Sequence, residues 1–589
     1  MTILEGRVTG ERGALDVVWF NQSWLRDRIA GRTVVLHGEV KRRGHRLVLT
    51  HPDWSEDSAA RAEVLPVYPA AGGIPSARLR EWIALALEGA SPVRWFPETL
   101  PAEILERRDL ESLPRAMSRL HAPGEGFDAR WNQGRSPCHR RLVYGELLRE
   151  QIELATRRRD EEARDKGRRY RIDEHTRGIA RELLPFRLTG AQKRVVRRLV
   201  EDLQGPAPMR RLLQGDVGSG KTIVAAILLM LAVESGFQAA LLAPTEILAE
   251  QHFATLGRLL GKRYAIALLT GNRAAAGDRR AVARGQVPLV VGTHALFQEG
   301  TSFRELGLLV IDEQHRFGVE QRQRMVEKGK APDLLVMSAT PIPRSLALTA
   351  YGDLRSVVLD ELPPGRMGVV TTVVPASRRP EVYDRLSREL ADGAQAYVVF
   401  PVIGESEEIA SPALEEAGPA LRQRFSGVEV AELHGRVPLA EREAIMERFR
   451  AGAVRLLLAT TVIEVGVDVP GATAMVIEGA ERFGLAQLHQ LRGRVGRGSR
   501  PAWCTAIHGE LAPGAADRLR AFARHADGFA LAEADLALRG PGDVLGSRQA
   551  GAAPYRFADL RCDLELLRAA REDAEEMVRA DRIPSRVLP

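Results

Sequence analysis

Cysteine is scarce in this chain of 589 residues: there are three, Cys138, Cys504 and Cys562, far apart, with no CxxC pair and no histidine at metal-ligand spacing. That excludes a disulfide framework and a zinc site. Long apolar runs are missing too. None approaches the 18 or so residues that a bilayer span needs, so no membrane segment is expected. The opening MTILEGRVTGERG lacks the apolar stretch of a secretory signal and carries Glu5, Arg7 and Glu11, which sets the expectation of a cytoplasmic protein. No tract is of low complexity. Lysine is rare as well, 7 of the 84 basic residues. The arginine excess fits either bidentate contact with a polyanion or a GC-rich coding sequence, and the net charge of +7 does not choose between them.

What is present is an ordinary globular composition, 45% hydrophobic and 27% charged. At about 100 to 200 residues per domain, the length suggests three to five domains. Residues 1–100 alternate short β-like runs with turns (LDVVWF, GRTVVLHGEV, GHRLVLTHP), the rhythm of a small antiparallel barrel. Its first strands are compressed into MTILEGRVTGERG, so the barrel is expected to be one strand short, either truncated upstream of Met1 or reduced. Residues 101–181 read as a charged helical linker. From 182 to 365, apolar strands alternate with helical stretches (RLLQG, QAALLAP, VPLVVGT, LGLLVIDE, DLLVMSAT), the pattern of a parallel sheet with crossover helices. After the break ELPPGR, residues 366–514 repeat that grammar in AYVVFPV, VEVAELHG, VRLLLATT and ATAMVIEG. Residues 515–589 are helical and charged, interrupted by LRGPGDVLGSRQAG. The fold class is therefore multidomain α/β: a barrel, two tandem parallel-sheet domains with a cleft between them, and a helical end.

GDVGSGKT supplies Gly215, Asp216, Val217, Gly218, Ser219, Gly220, Lys221 and Thr222 between a strand and a helix. In that context backbone N–H groups and a helix N-terminus converge on phosphates, Lys221 reaches the β- and γ-phosphates of ATP, and Thr222 holds Mg2+. LLVIDEQH ends a strand in Asp312, which would complete the Mg2+ shell, and Glu313, which would activate the attacking water. In QLRGRVGR, Gln490, Arg494 and Arg497 would reach a γ-phosphate from the second α/β domain, the arginines sharing one helical face and Gly493 and Gly496 permitting close approach. Hydrolysis would then depend on closure of the cleft. Further loops place hydroxyl residues and open N–H groups at strand ends, suited to sequence-independent contact with nucleic acid: Pro244 and Thr245, Thr270 and Gly271, Thr293 and His294, Ser338 and Thr340, and Thr460 and Thr461.

Through LLQGDVGSGKT, LLVIDEQHRFGVEQR, SATPIPRSLAL, ATTVIEVGVDVP and ERFGLAQLHQLRGRVGRG, nearly the whole chain resembles the superfamily 2 helicases, and within them the RecG family of branched-DNA helicases. The resemblance implies two RecA-like P-loop domains and an N-terminal oligonucleotide-binding (OB-fold) wedge. It implies adenine recognition by Phe186 and Gln192, nucleotide contact by Gly466 and Asp468, and DNA contact by His434. DGFALAEADLALRGPGDVLGSRQAG is similar to the translocation motif that RecG shares with the transcription-repair coupling factor Mfd, a helical hairpin in which Arg539 and Gln549 are the positions carried over. In the wedge, Phe20 and Trp24 either stack on bases at the branch point or fill the barrel core. The implied partners are branched double-stranded DNA (stalled forks and Holliday junctions) and single-strand DNA-binding protein, with the enzyme acting as a monomer. An Mfd-like translocase would need a polymerase-binding module, which this sequence does not show. A junction-binding protein with a vestigial ATPase would have lost key positions, yet Lys221, Thr222, Asp312, Glu313, Arg494 and Arg497 are all present.

Overall fold

The computed structural model describes residues 2–583 apart from 11–12, 39, 44–45, 56–65, 70–73, 90–91, 123–127, 185, 272–275, 298–300, 313–331, 339–353, 364–367, 402–411, 461–468, 499, 513, 540–554 and 561. It divides into two compact units, Met1–Gly145 and Glu146–Ile583.

In the first unit, β1 (Ile3–Gly10) and β2 (Gly13–Phe20) form a hairpin, followed by β3 (Val35–His37), β4 (Val40–Arg43), β5 (Arg46–Thr50) and β6 (Asp53–Ser55). The sheet order is β1-β2-β5-β4, with β3 and β6 paired separately. Two sequence expectations are corrected here. The opening segment is a full eight-residue strand, hidden because only Leu4 and Val8 turn inward, onto the unit's core. The pairing is also not antiparallel throughout. β2 runs parallel to β5, because the helical turns Ser23–Leu25 and Arg26–Ile29 and the strands β3 and β4 intervene before the chain returns. The core is Val17, Trp19, Leu25 and Leu49, and the Trp19 indole N–H donates to the Pro52 carbonyl at 3.0 Å. Helices Ser76–Gly89, Ala102–Arg107 and Leu113–His121 follow.

The second unit holds two parallel sheets. The earlier one comprises β7 (Arg210–Gly215), β8 (Gln238–Leu242), β9 (Ile266–Leu269), β10 (Leu289–Gly292), β11 (Leu306–Asp312), β12 (Asp333–Ser338) and β13 (Arg355–Leu359). They are ordered β13-β7-β12-β11-β8-β10-β9, and every pairing is parallel. β8, β10 and β12 are buried along their whole length, as strands covered on both faces must be, which is why they read as continuous apolar runs. Helix Lys221–Glu234 is apolar all round and is buried against this sheet. The later sheet comprises β14 (Val369–Pro375), β15 (Gln395–Val399), β16 (Val430–Leu433), β17 (Leu456–Ala459), β18 (Ala472–Ile477) and β19 (Ala502–His508), ordered β14-β19-β18-β15-β17-β16 and again parallel.

The two sheets repeat one detail. The first residue of β8, Gln238, donates from Nε2 to the carbonyls of Val282 and Val287. The first residue of β15, Gln395, donates in the same way to Phe449 and Val454. Helices Ala515–Arg524, Gly528–Arg539 and Leu564–Arg579 complete the unit. Glu146 ties in this end by accepting the N–H groups of Arg556, Phe557 and Ala558, at 2.7 to 2.9 Å. Among the described residues no helix is long and apolar enough to cross a membrane.

Candidate nucleotide site and nucleic-acid face

The loop Gly215–Gly220 leaves the end of β7 and enters helix Lys221–Glu234 with Gly220 as its N-cap, at φ 88° and without a side-chain cap. The positive end of a helix suits a phosphate, and so does a cradle that a side chain would fill: a Cβ on Gly220 would stand 2.3 Å from Nε2 of Gln192. Gln192 is buried and does two things. It closes a reciprocal cap with Thr189 at the start of helix Gly190–Gln204, and its Nε2 donates to the Ser219 carbonyl at 3.0 Å. The Lys221 ammonium donates to the carbonyls of Gly215 and Asp216, at 2.7 and 3.0 Å. Thr222 follows it at the helix start, half-buried. Phe186 is 47% exposed.

Asp312 ends β11 half-buried, its Oδ2 2.7 Å from Nε2 of His252. The hard oxygens of Thr222 and Asp312 suit Mg2+. Glu313, Thr340, Thr461, Gly466, Asp468 and Gln549 lie outside the described residues, as does the side chain of Arg539.

The arginine motif comes from the later lobe and reaches this loop. Helix Leu485–Arg492 ends at Arg492, with Gly493 as its C-cap. Arg494 and Arg497 therefore do not share a helical face, contrary to expectation. Past Gly493 the N–H groups of Arg494 and Val495 bond to carbonyls three residues back, and Gly496 then turns its N–H to Ala472, which takes the chain off the helix axis. Arg494 is buried, Gln490 and Arg497 are half-buried, and Arg497 Nε donates to the Gly493 carbonyl at 3.1 Å. The close approach does occur, because a Cβ on Gly493 would lie 3.0 Å from the Val217 side chain of the phosphate loop.

Two histidines here had no role in the sequence reading. His489 Nε2 donates to Asp216 Oδ1 at 2.5 Å, across from one lobe to the other. Arg492 donates to His489 Nδ1 at 2.8 Å, which fixes the neutral tautomer with its proton on Nε2. Arg492 itself is buried and also donates to the carbonyls of Phe522, His525 and Ala526. The Gly528 N–H reaches Asp216 Oδ2 at 3.3 Å. Burial raises the Asp216 carboxyl, but hydrogen bonding from His489 and Val217 and the nearby Lys221 charge outweigh it and hold the group below the usual carboxylate range. The local signal for His489 was its place one residue before Gln490. Its partner, 273 positions away, was not readable.

Along the strand ends, Thr270, Thr293, Ser338 and Thr460 are buried. The N–H groups of Thr293 and Thr460 are not open as expected but bond to the carbonyls of Leu269 and Leu433, because buried backbone must pair. Gly271 and His294 face solvent, and Pro244, Thr245 and His434 are half-buried. In the first unit Phe20 is half-buried and Trp24 is 54% exposed, with the Arg28 guanidinium 5.5 Å from its ring centre.

Residues 1–88 match the RecG wedge domain and 189–349 the DEAD/DEAH box helicase domain. Residues 381–499 match the helicase conserved C-terminal domain, and 525–586 match the C-terminal part of domain 3 of ATP-dependent DNA helicase RecG. The ATP-dependent DNA helicase RecG of Synechocystis sp. is 45% identical over 91% of this chain, which spans 64% of that protein. The RecG of Escherichia coli K12 is 41% identical over 95% of this chain and 83% of its own length. A solved structure of RecG bound to a three-way DNA junction superposes with a TM-score of 0.65 at 38% identity, covering 96% of this chain and 75% of that one. With a wedge unit, two RecA-like parallel sheets and these relatives, the chain belongs to the RecG family of ATP-dependent DNA helicases.

Proposed function

We propose that this chain is a DNA-stimulated ATPase that moves along the duplex arms of branched DNA while its wedge parts the strands, regressing stalled forks and moving Holliday junctions. The observation that carries the reading is the contact between lobes: His489 bonded to Asp216, and Gly493 set against Val217, support a nucleotide site shared by both lobes. Support for a branched substrate comes from the relative bound to a three-way junction.

The division of labour follows the boundaries read from sequence: wedge 1–100, linker 101–181, motor lobes 182–365 and 366–514, and translocation region 515–589. Lys221 and the loop N–H groups hold the phosphates of ATP, Phe186 and Gln192 the adenine end, and Gly466 and Asp468 contact the nucleotide from the later lobe. Thr222 and Asp312 would hold Mg2+, which when bound offsets phosphate charge. Glu313 takes the proton of the attacking water, Gln490 orients that water, and Arg494 and Arg497 stabilise the charge that develops on transfer. Phe20 and Trp24 stack on bases at the branch point. Pro244, Thr245, Gly271, Thr340, His294, His434 and Thr461 line the motor's DNA track, with buried Thr270, Thr293, Ser338 and Thr460 shaping the loops behind it, and Arg539 and Gln549 couple closure to movement. The enzyme works in the cytoplasm as a monomer, with single-strand DNA-binding protein as a partner.

The test is Lys221→Ala, assayed for ATP turnover and for binding to a forked duplex. Turnover should vanish while junction affinity stays within about threefold, since phosphate-loop binding and junction binding use separate residues. Retained turnover would overturn the assignment.

A further inference from the structure

The His252 to Asp312 contact has a chemistry of its own. An ionised carboxylate only accepts, so at 2.7 Å the imidazole must carry its proton on Nε2 and donate to Oδ2. His252 is 7% exposed and sits on helix Glu246–Leu260, which packs beside β9 and β10 and is capped at its start by Thr245. A rigid helix thus delivers a fixed donor to the one carboxylate at the end of β11 that the nucleotide reading assigns to the metal. The bond sets the rotation of that carboxylate about its last torsion before any ion arrives. Metal sites commonly depend on such a partner behind the ligand, and its loss typically costs 10- to 100-fold in metal affinity.

We propose that His252 is a positioning residue for Mg2+: it touches neither nucleotide nor metal, and acts by orienting Asp312. The inference rests on the reading of Thr222 and Asp312 as the Mg2+ pair. A histidine that merely fills space between helix and sheet would matter for stability and for nucleotide binding in general. A positioning histidine matters for the metal alone.

Two substitutions separate these cases in the full-length protein, with binding of a fluorescent ADP followed as Mg2+ is titrated and again in chelator. His252→Leu keeps an apolar side chain of similar bulk but no donor. His252→Gln keeps an N–H that can reach the same oxygen. For H252L the Mg2+ concentration giving half of the metal-dependent gain should rise about tenfold or more, while affinity in chelator stays within about twofold; H252Q should lie within about threefold of the parent. An unchanged Mg2+ requirement in H252L, or an equal loss of affinity in chelator, would overturn the proposal. A parent protein whose ADP binding ignores Mg2+ would instead overturn the metal reading of Asp312, and this inference with it.

Discussion

Trp19 and Trp24 stand in one short stretch and meet opposite surroundings. Trp19 is 2% exposed and bonded to Pro52, whereas Trp24 is 54% exposed beneath Arg28. Trp19→Ala should cost about 3 to 5 kcal/mol and lower the melting temperature of the first unit. Trp24→Ala should shift stability by no more than about 0.5 kcal/mol yet weaken binding to a forked duplex by about 1 to 3 kcal/mol, the worth of one stacked base. Parallel melting curves and binding titrations on the two variants check this; a Trp24 variant that binds like the parent would remove the stacking role. The sequence could not make that choice. VVWF buries Val17, Val18 and Trp19 alike with Phe20 half-buried, so the alternation that identifies a two-faced strand fails there. The phosphate loop was legible because its chemistry is backbone-local, a glycine turn running into a helix. His252 and His489 were not, because what gives each its role is a carboxylate 60 or 273 positions away.

Elements carry the next set of consequences. Since helix Leu485–Arg492 stops at Gly493 and that glycine abuts Val217, Gly493→Ala should push the following arginine turn off the phosphate loop. Hydrolysis at saturating ATP should fall about 10- to 100-fold, the cost of a misplacement near 1 Å, with little change in melting temperature. A parent-like rate would mean that the approach has no catalytic value.

Within the first unit, the Glu98 carboxylate accepts from the N–H groups of Thr99, Leu100 and Leu113, at 2.6 to 2.9 Å, and from fully buried Arg141 at 2.7 Å. Burial raises this carboxyl, but those N–H groups and the Arg141 guanidinium outweigh it, so the folded group titrates below its usual range. Its stabilisation is complete above the unfolded pKa and disappears as pH falls through the folded one. Glu98→Gln should cost about 3 kcal/mol at neutral pH, by stranding a buried guanidinium, and should flatten the acid limb of the stability curve. Denaturant melts at several pH values test it, and an unchanged acid limb would refute it. Strand existence was readable in the lobes, where buried parallel strands are continuous apolar runs. It failed for β1, whose exposed residues outnumber its inward ones, and the parallel β2 to β5 pairing depends on a crossover that no local pattern announces.

At the scale of the molecule, the two lobes are the same device built twice, down to the glutamine that opens β8 and β15. Their duplication and the approach of Gly493 to the phosphate loop were visible in the sequence, but the His489 to Asp216 bond between them was not, because nothing local pairs those two residues. Burial also governs the thiols. The Cys504 thiol is fully buried and pushed up to about 12, and Cys138 is buried and raised as well, whereas Cys562 is exposed. At about pH 8 a thiol reagent should therefore label Cys562 in the native protein and the other two only after unfolding. Native labelling of Cys504, read by mass spectrometry, would mean that the later sheet opens.

The central claim is that guanidinium groups of the later lobe complete a site held by the earlier one. It is tested most directly by the hydrolysis rate of Arg494→Ala and Arg497→Ala at saturating ATP with forked DNA. The account predicts nucleotide affinity within about threefold of the parent and a rate lower by about 10³ or more in each variant. Parent-like rates in both would contradict it.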